Sequence, residues 1–150
     1  MFRIPEKAST VLSLIFTALA LVLLVVLTCT LPSLVGWYLT ITARTALDRT
    51  AITVLLYLAL VPAYVAAFSL LALLRKVRRE EIFTEKAVRD LRLVSYCCFA
   101  ECVVFVAVAF YLRFAVVIAF AALFMGVILR VVKNVIAKAA EVKAENDFTI

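Results

Sequence analysis

Long apolar stretches separated by blocks of charge dominate the chain. No charged residue occurs from Ala8 to Ala43 or from Thr50 to Leu74, and only Glu101 and Arg113 interrupt the run from Leu93 to Leu129. A helix needs roughly 20 residues to cross about 30 Å of hydrocarbon. The three runs therefore hold room for four spans, and they predict an all-α integral membrane protein with four transmembrane helices.

The limits of the spans follow from turn residues and charges. They are expected at about 11–31, 51–74, 93–111 and 114–129. Pro32 and Gly36 are expected to break the first helix, which would leave residues 32–49 as an outer loop. Pro62 lies within the second span and predicts a kink, because proline cannot donate the backbone hydrogen bond that a helix expects.

A turn at Arg113 separates the third and fourth spans, although neither glycine nor proline marks it. A single helix from Leu93 to Leu129 would be about 55 Å long, too long for one crossing. Without this turn, the four basic residues of the tail would also lie on the outer side of the membrane. We therefore expect a tight turn at Arg113.

The charged segment 75–92 predicts a cytoplasmic loop whose second half is helical. Thr84 is a suitable N-cap for a helix that continues into the third span. Glu85 with Arg89, and Lys86 with Asp90, have the i,i+4 spacing of ion pairs on one helix.

The tail, residues 130–147, predicts an amphipathic helix that leaves the membrane. Apolar residues recur there at helical spacing, with charges on the other side. A stripe of small apolar side chains favours docking on protein over insertion at the lipid surface, where larger residues are usual. The surface covering it is the chain's own loop helix, a neighbouring subunit or another protein. The candidate docking residues are Val132, Val135, Ile136, Ala139 and Val142.

The distribution of lysine and arginine orients the chain. Of the sixteen, only Arg44, Arg49 and Arg113 fall on one side, which leaves thirteen on the side of both termini and residues 75–92. Basic residues concentrate in cytoplasmic loops, so both termini are expected in the cytoplasm. The basic residues of the cytoplasmic side thus account for the net charge of +6. We therefore expect no direct nucleic-acid binding.

Composition agrees with this class. The hydrophobic fraction is 67% and the mean hydropathy is +1.17, against an apolar fraction of roughly half in soluble proteins. A soluble fold could not bury so much apolar surface, so the expected surroundings of the chain are a lipid bilayer.

Glu101 is the only acidic residue inside a predicted span and is the candidate intramembrane functional residue. A carboxylate in lipid is costly, so such residues face a bundle interior or a water-filled cavity and often mark function. A proton-coupled pathway is one interpretation. The alternative is a protonated or hydrogen-bonded glutamate that only helps the helices pack, and no second ionisable residue is placed as a relay.

Three of the four cysteines, Cys97, Cys98 and Cys102, cluster around Glu101. Adjacent cysteines point in different directions on a helix, and the chain has no histidine. Thiols near the reducing cytoplasm also disfavour disulfides. We expect these residues to pack as small apolar side chains, with neither a bound metal nor another cofactor.

Small residues spaced by four occur on the second and fourth spans, at Ala59, Ala63 and Ala67 and at Ala122 and Gly126. Such steps let helix backbones approach closely in lipid. They either pack the four helices together or support a homo-oligomer.

Two stretches, SYCCF at residues 95–99 after FTEKAVRDLR and RVVKNVIAKAAEVKAENDFTI at residues 130–150, resemble the bacterial family known as domain of unknown function 2975. The resemblance implies a small multi-span protein of the bacterial inner membrane, and a short helix-turn-helix regulator is often encoded beside members of this family. It implies no activity. No catalytic motif occurs in the sequence, so we expect no enzyme.

Two hypotheses for function remain. The first is a non-enzymatic regulatory or interaction protein that engages a partner, such as a small cytoplasmic helix-turn-helix regulator, through its loop and tail. The alternative is a small oligomeric transporter or channel that uses Glu101.

Overall fold

The chain forms four helices in a computed structural model that describes residues 6–42 and 45–148. They are α1 (Glu6–Thr42), α2 (Ala46–Arg78), α3 (Glu85–Ala109) and α4 (Ala115–Phe148). Each is long and apolar enough to cross a membrane. The prediction of an all-α chain with four potential spans is confirmed.

The predicted break after the first span is wrong, because α1 continues through Pro32 and Gly36 to Thr42. Proline at position 32 leaves the carbonyl of Thr28 without its helical donor. The hydroxyl of Tyr57, on α2, donates to that carbonyl at 3.3 Å. Neighbouring helices can compensate a proline within an apolar helix in this way, so the chain does not turn there.

Gly36 allows the close approach of a side chain. A Cβ atom at this position would lie 3.2 Å from a guanidinium nitrogen of Arg49 on α2. The predicted outer loop at residues 32–49 is correspondingly reduced to the short connection between Thr42 and Ala46.

The connection from α2 to α3 combines two helix caps. Glu81 N–H donates to the Lys76 carbonyl at 2.9 Å and Glu80 N–H to the Val77 carbonyl at 3.1 Å, which is the Schellman arrangement at a helix C-terminus. Glu80 has a φ of 58°, in the region where glycine is usual. The predicted N-cap of α3 is confirmed, since the Thr84 hydroxyl accepts from Ala87 N–H at 3.3 Å.

The predicted turn around Arg113 is also confirmed. Helix α3 ends at Ala109 and α4 begins at Ala115. Leu112 N–H donates to the Val108 carbonyl at 2.8 Å and Ala115 N–H to the Leu112 carbonyl at 2.9 Å, so a hydrogen-bonded turn needs neither glycine nor proline here. The fourth span and the tail form one continuous helix.

The helices pack in chain order. Helix α1 packs on α2, α2 on α3 and α3 on α4, while within the described residues no Cα atom of α1 comes within 8 Å of one in α3 or α4. The four helices therefore form an open arc, not a closed bundle. The inner side of the arc leaves room for a cavity.

Helices α3 and α4 are in close contact at Gly126. Its carbonyl accepts a hydrogen bond from the Ser95 hydroxyl at 2.9 Å, and a Cβ atom at Gly126 would lie 3.1 Å from the Phe99 ring. The predicted small-residue step at Ala122 and Gly126 thus serves packing within the chain at Gly126. The homo-oligomer remains a prediction.

Candidate functional site

A cleft of about 490 Å³ lies on the inner side of the arc and is lined by all four helices. Leu27 of α1, Leu60 of α2, Glu101 of α3 and Met125 of α4 are among its walls. Helices α1 and α4 both border the cleft without approaching each other. The cleft therefore opens between them. We call it the Glu101 cleft.

Glu101 is the one charged side chain among the residues that line this cleft, and the other walls are apolar side chains and Cys98. The carboxyl is half-buried, and its Oε2 atom is buried without a hydrogen-bond partner in the part of the chain that the structure describes. A buried polar atom without a partner costs free energy. This arrangement makes Glu101 the polar feature of an otherwise apolar cavity.

The clustered cysteines do not converge on one point. Cys98 lines the Glu101 cleft, whereas Cys97 lines a separate apolar cavity of about 620 Å³ beside Pro62. All four cysteines are free thiols. Among residues 6–42 and 45–148 there is no group of three His, Cys, Asp or Glu side chains placed to hold a metal ion. The role of these cysteines as small apolar packing residues remains a prediction.

A second cavity, of about 880 Å³, lies between the first turns of α3 and the end of α4. We call it the α3–α4 groove. Its lining combines charged side chains with small ones: Phe83, Glu85, Lys86, Val88, Arg89, Arg92, Ala137, Ala140, Glu141 and Ala144.

Apolar contacts from three helices hold the groove at its base. Leu73 of α2 and Ala87 and Leu91 of α3 form a buried cluster on which Ile136 of α4 packs. Farther along α4, the Lys143 Nζ atom lies 5.9 Å from the centre of the Phe83 ring. Both ends of this stretch of the tail are thus in contact with the loop region.

The ion pairs expected on α3 are not present within the described residues. Asp90 pairs with Lys76 of α2 and not with Lys86, which lines the α3–α4 groove with Glu85 and Arg89. The Lys76–Asp90 pair joins two helices across the loop. Glu85, Lys86 and Arg89, on the groove side of α3, form no ion pair among the described residues.

The predicted docking residues of the tail do not share one environment. Ile136 packs on the loop cluster and Ala139 is half-buried, whereas Val132, Val135 and Val142 are exposed. Helix α4 turns alanines toward the groove, at positions 137, 140 and 144. Sequence reasoning missed these alanines, although their spacing of three and four was the available signal.

Comparisons with known proteins give one match. A family model described as a protein of unknown function, DUF2975, matches residues 3–150. No curated protein and no solved structure matches the chain.

Proposed function

Because the chain belongs to the DUF2975 family, whose description assigns no activity, we propose from its geometry that it is a non-enzymatic interaction protein. It is a membrane protein with four apolar helices, and its α3–α4 groove binds a cytoplasmic protein. We further propose that it lies in the bacterial inner membrane with both termini in the cytoplasm. The unequal distribution of lysine and arginine supports that orientation.

The observation that carries the proposal is the α3–α4 groove itself. Its volume of about 880 Å³ lies between helices already fixed by the Leu73–Leu91–Ile136 contacts. Alanines at 137, 140 and 144 border it, and small side chains let a partner helix approach closely. A groove bordered by two helices suits a third helix.

Charge identifies the kind of partner. Lys86, Arg89 and Arg92 line the groove against Glu85 and Glu141, and residues 75–92 carry seven basic and four acidic side chains. Complementary charge favours a helix with an acidic face. A short helix-turn-helix regulator that presents such a helix is the partner we propose, in keeping with the family resemblance.

Photocrosslinking in cells tests this function. A photoreactive amino acid at Ala140, in the groove, should yield an adduct with one cytoplasmic protein that is identified by mass spectrometry. The matched control is the same amino acid at Val127, which is exposed on α4 and lines neither cavity. Reversing charge with Lys86→Glu and Arg89→Glu should abolish the Ala140 adduct.

A charge-reversed acidic helix on the identified partner should restore the adduct. An adduct that survives Lys86→Glu with Arg89→Glu, or that forms equally from Val127, would contradict the proposal. Deleting residues 138–150 gives a second test, because it removes Ala140, Glu141 and Ala144 from the groove. Insertion should persist, while the partner no longer co-purifies.

Orientation is tested separately by labelling single cysteines in a cysteine-free chain. Cysteine at Arg44 or Arg113 should react with an impermeant reagent on intact cells, and cysteine at Lys143 only after lysis. Reaction of the tail cysteine on intact cells, with Arg113 protected, would exclude the four-span topology.

A second candidate function, a small oligomeric transporter or channel, is favoured by one observation. Glu101 is among the residues that line a cleft formed by all four helices, and one of its carboxyl oxygens is buried without a partner among the described residues. Intramembrane carboxyl groups of this kind mark transport pathways. Proton-dependent uptake of a solute into vesicles by the wild type, abolished by Glu101→Gln, would support transport. If neither the wild type nor Glu101→Gln takes up solute, transport would be excluded.

A further inference from the structure

The Glu101 cleft has the composition of a ligand site. Its volume of about 490 Å³ falls within the range of small-molecule sites, which combine apolar walls with a few polar groups. Here the walls come from Leu, Val, Ile, Phe, Met, Ala and Cys side chains, and Glu101 supplies the single charge. We infer that this cleft binds a lipophilic cation, a molecule with a bulky apolar body and one positive centre.

Charge complementarity selects a cation over a lipid tail or a neutral molecule. No lysine or arginine is among the residues that line the cleft, and no hydrogen bond of the described residues reaches Oε2 of Glu101. A cation in the cleft would pair with this carboxylate after the Glu101 side chain turns its buried oxygen toward the ligand, where water is largely excluded and the attraction is strong. An acyl chain fills apolar volume but leaves the carboxylate unpaired.

The open side of the arc provides the route of entry. Helices α1 and α4 line the cleft from opposite sides, yet their Cα atoms stay more than 8 Å apart. Leu27 and Met125, on these two helices, are 40% and 49% exposed. A molecule dissolved in the bilayer can thus reach the cleft sideways, which suits a lipophilic ligand.

Binding in the Glu101 cleft goes beyond the interaction role and does not depend on it. It names a ligand class for the second candidate function, but it needs no transport, since a bound cation could equally be a signal. Equilibrium binding to purified protein and uptake into vesicles therefore report on different claims. If uptake is absent, binding can still be measured, and if binding is absent, uptake can still be measured.

Equilibrium dialysis of the purified full chain tests the inference with tetraphenylphosphonium as the probe. Tetraphenylborate, an anion of the same shape, is the matched probe. Wild-type protein should bind the phosphonium saturably with one site per chain and show no saturable binding of the borate. Glu101→Gln should weaken phosphonium binding at least about tenfold, whereas Glu101→Asp should retain most of it.

A steric variant keeps the test decisive if Glu101→Gln does not fold. Ala121 lines the cleft from α4, so Ala121→Trp should block binding with the carboxyl left in place. Val127→Trp, on an exposed part of α4 outside the cleft, should bind as the wild type does. Equal binding of both probes, or undiminished binding by both Glu101→Gln and Ala121→Trp, would overturn the inference.

Discussion

The two outer helix pairs of the arc are held together by different means. Helices α3 and α4 meet at Gly126, where the Phe99 and Cys98 side chains pack on the glycine backbone and the Ser95 hydroxyl donates to its carbonyl. Helices α1 and α2 are joined instead by tyrosines, since the Tyr64 hydroxyl bonds the Thr28 hydroxyl at 2.9 Å and Tyr57 bonds the Thr28 carbonyl. The α1–α2 pair combines these polar contacts with a buried apolar cluster, whereas the α3–α4 pair depends on close fit at a glycine. The α1–α2 cluster consists of Leu31, Val35, Leu39, Ile52 and Leu60.

Burial follows the same division. In the most apolar stretch of α1, 6% of the residues are buried, against 28% in α3. Lipid is as apolar as a leucine side chain, so burial of apolar surface does not drive helix association in a membrane. The comparison teaches that α3 is buried along much of its length, whereas burial on α1 is concentrated where Leu31, Val35 and Leu39 pack on α2. Three predictions test this division.

The largest effect is expected where α3 and α4 meet. Gly126→Ala places a methyl group 3.1 Å from the Phe99 ring, and overpacking of this kind costs about 1–3 kcal/mol. The preference of a helix for alanine over glycine offsets about 0.5–1 kcal/mol of this cost. We therefore expect the free energy of unfolding, measured by detergent denaturation, to fall by about 1–2 kcal/mol. Gly36→Ala is the matched control.

At Gly36 the new methyl group meets only the end of the Arg49 side chain, which can move. Alanine is favoured over glycine within a helix by about 0.5–1 kcal/mol, so Gly36→Ala should be neutral or stabilising. If both substitutions had equal effects, tight packing at a glycine would not distinguish the two helix pairs.

An intermediate effect is expected where α2 compensates for Pro32. Tyr57→Phe removes the donor to the Thr28 carbonyl, and interhelical hydrogen bonds in membranes contribute about 0.6–1.7 kcal/mol. A double-mutant cycle sharpens the test. In a Pro32→Ala background the backbone N–H of residue 32 can satisfy the carbonyl, so Tyr57→Phe should cost nearly nothing there. The same cost in both backgrounds would show that Pro32 and Tyr57 are independent.

The smallest effect is expected in the connection between the two pairs. Glu80 adopts a φ of 58°, which is costly for residues other than glycine. Glu80→Gly should therefore raise the free energy of unfolding by about 0.5–1 kcal/mol. Glu81→Gly, one residue further, has no such strain to relieve and should not stabilise the chain. If both Glu80→Gly and Glu81→Gly stabilised the chain, the gain would come from the removal of negative charge and not from the relief of backbone strain.

Local signals in the sequence predicted the local structure. The Thr84 cap depends on residues within one turn, and the turn at Arg113 follows from the length that one crossing allows. Hydropathy alone was sufficient for the four helices. Glu101 also stood out in the sequence as an isolated charge, although the cleft around it requires residues from four helices.

The errors come from contacts between distant positions. Whether Pro32 ends a helix depends on Tyr57, 25 residues further along the chain, and Asp90 takes its partner from α2 and not from its own helix. The tail shows the same limit. Its valines and its alanines both have helical spacing, and the rotation of α4 on α3, which no local pattern specifies, turns the alanines toward the groove.

Helix α4 runs unbroken from Ala115 to Phe148, with Met125 at the Glu101 cleft and Ala140 at the α3–α4 groove. These two residues lie about 22 Å apart along a helix that contains no proline. A stiff rod of this length acts as a lever. A tilt of about 10° at the level of Met125 displaces Ala140 by about 4 Å over that distance, close to the width of a side chain. Ile136, which lies between these two positions, packs on Leu73, Ala87 and Leu91, so such a tilt requires that this cluster rearrange.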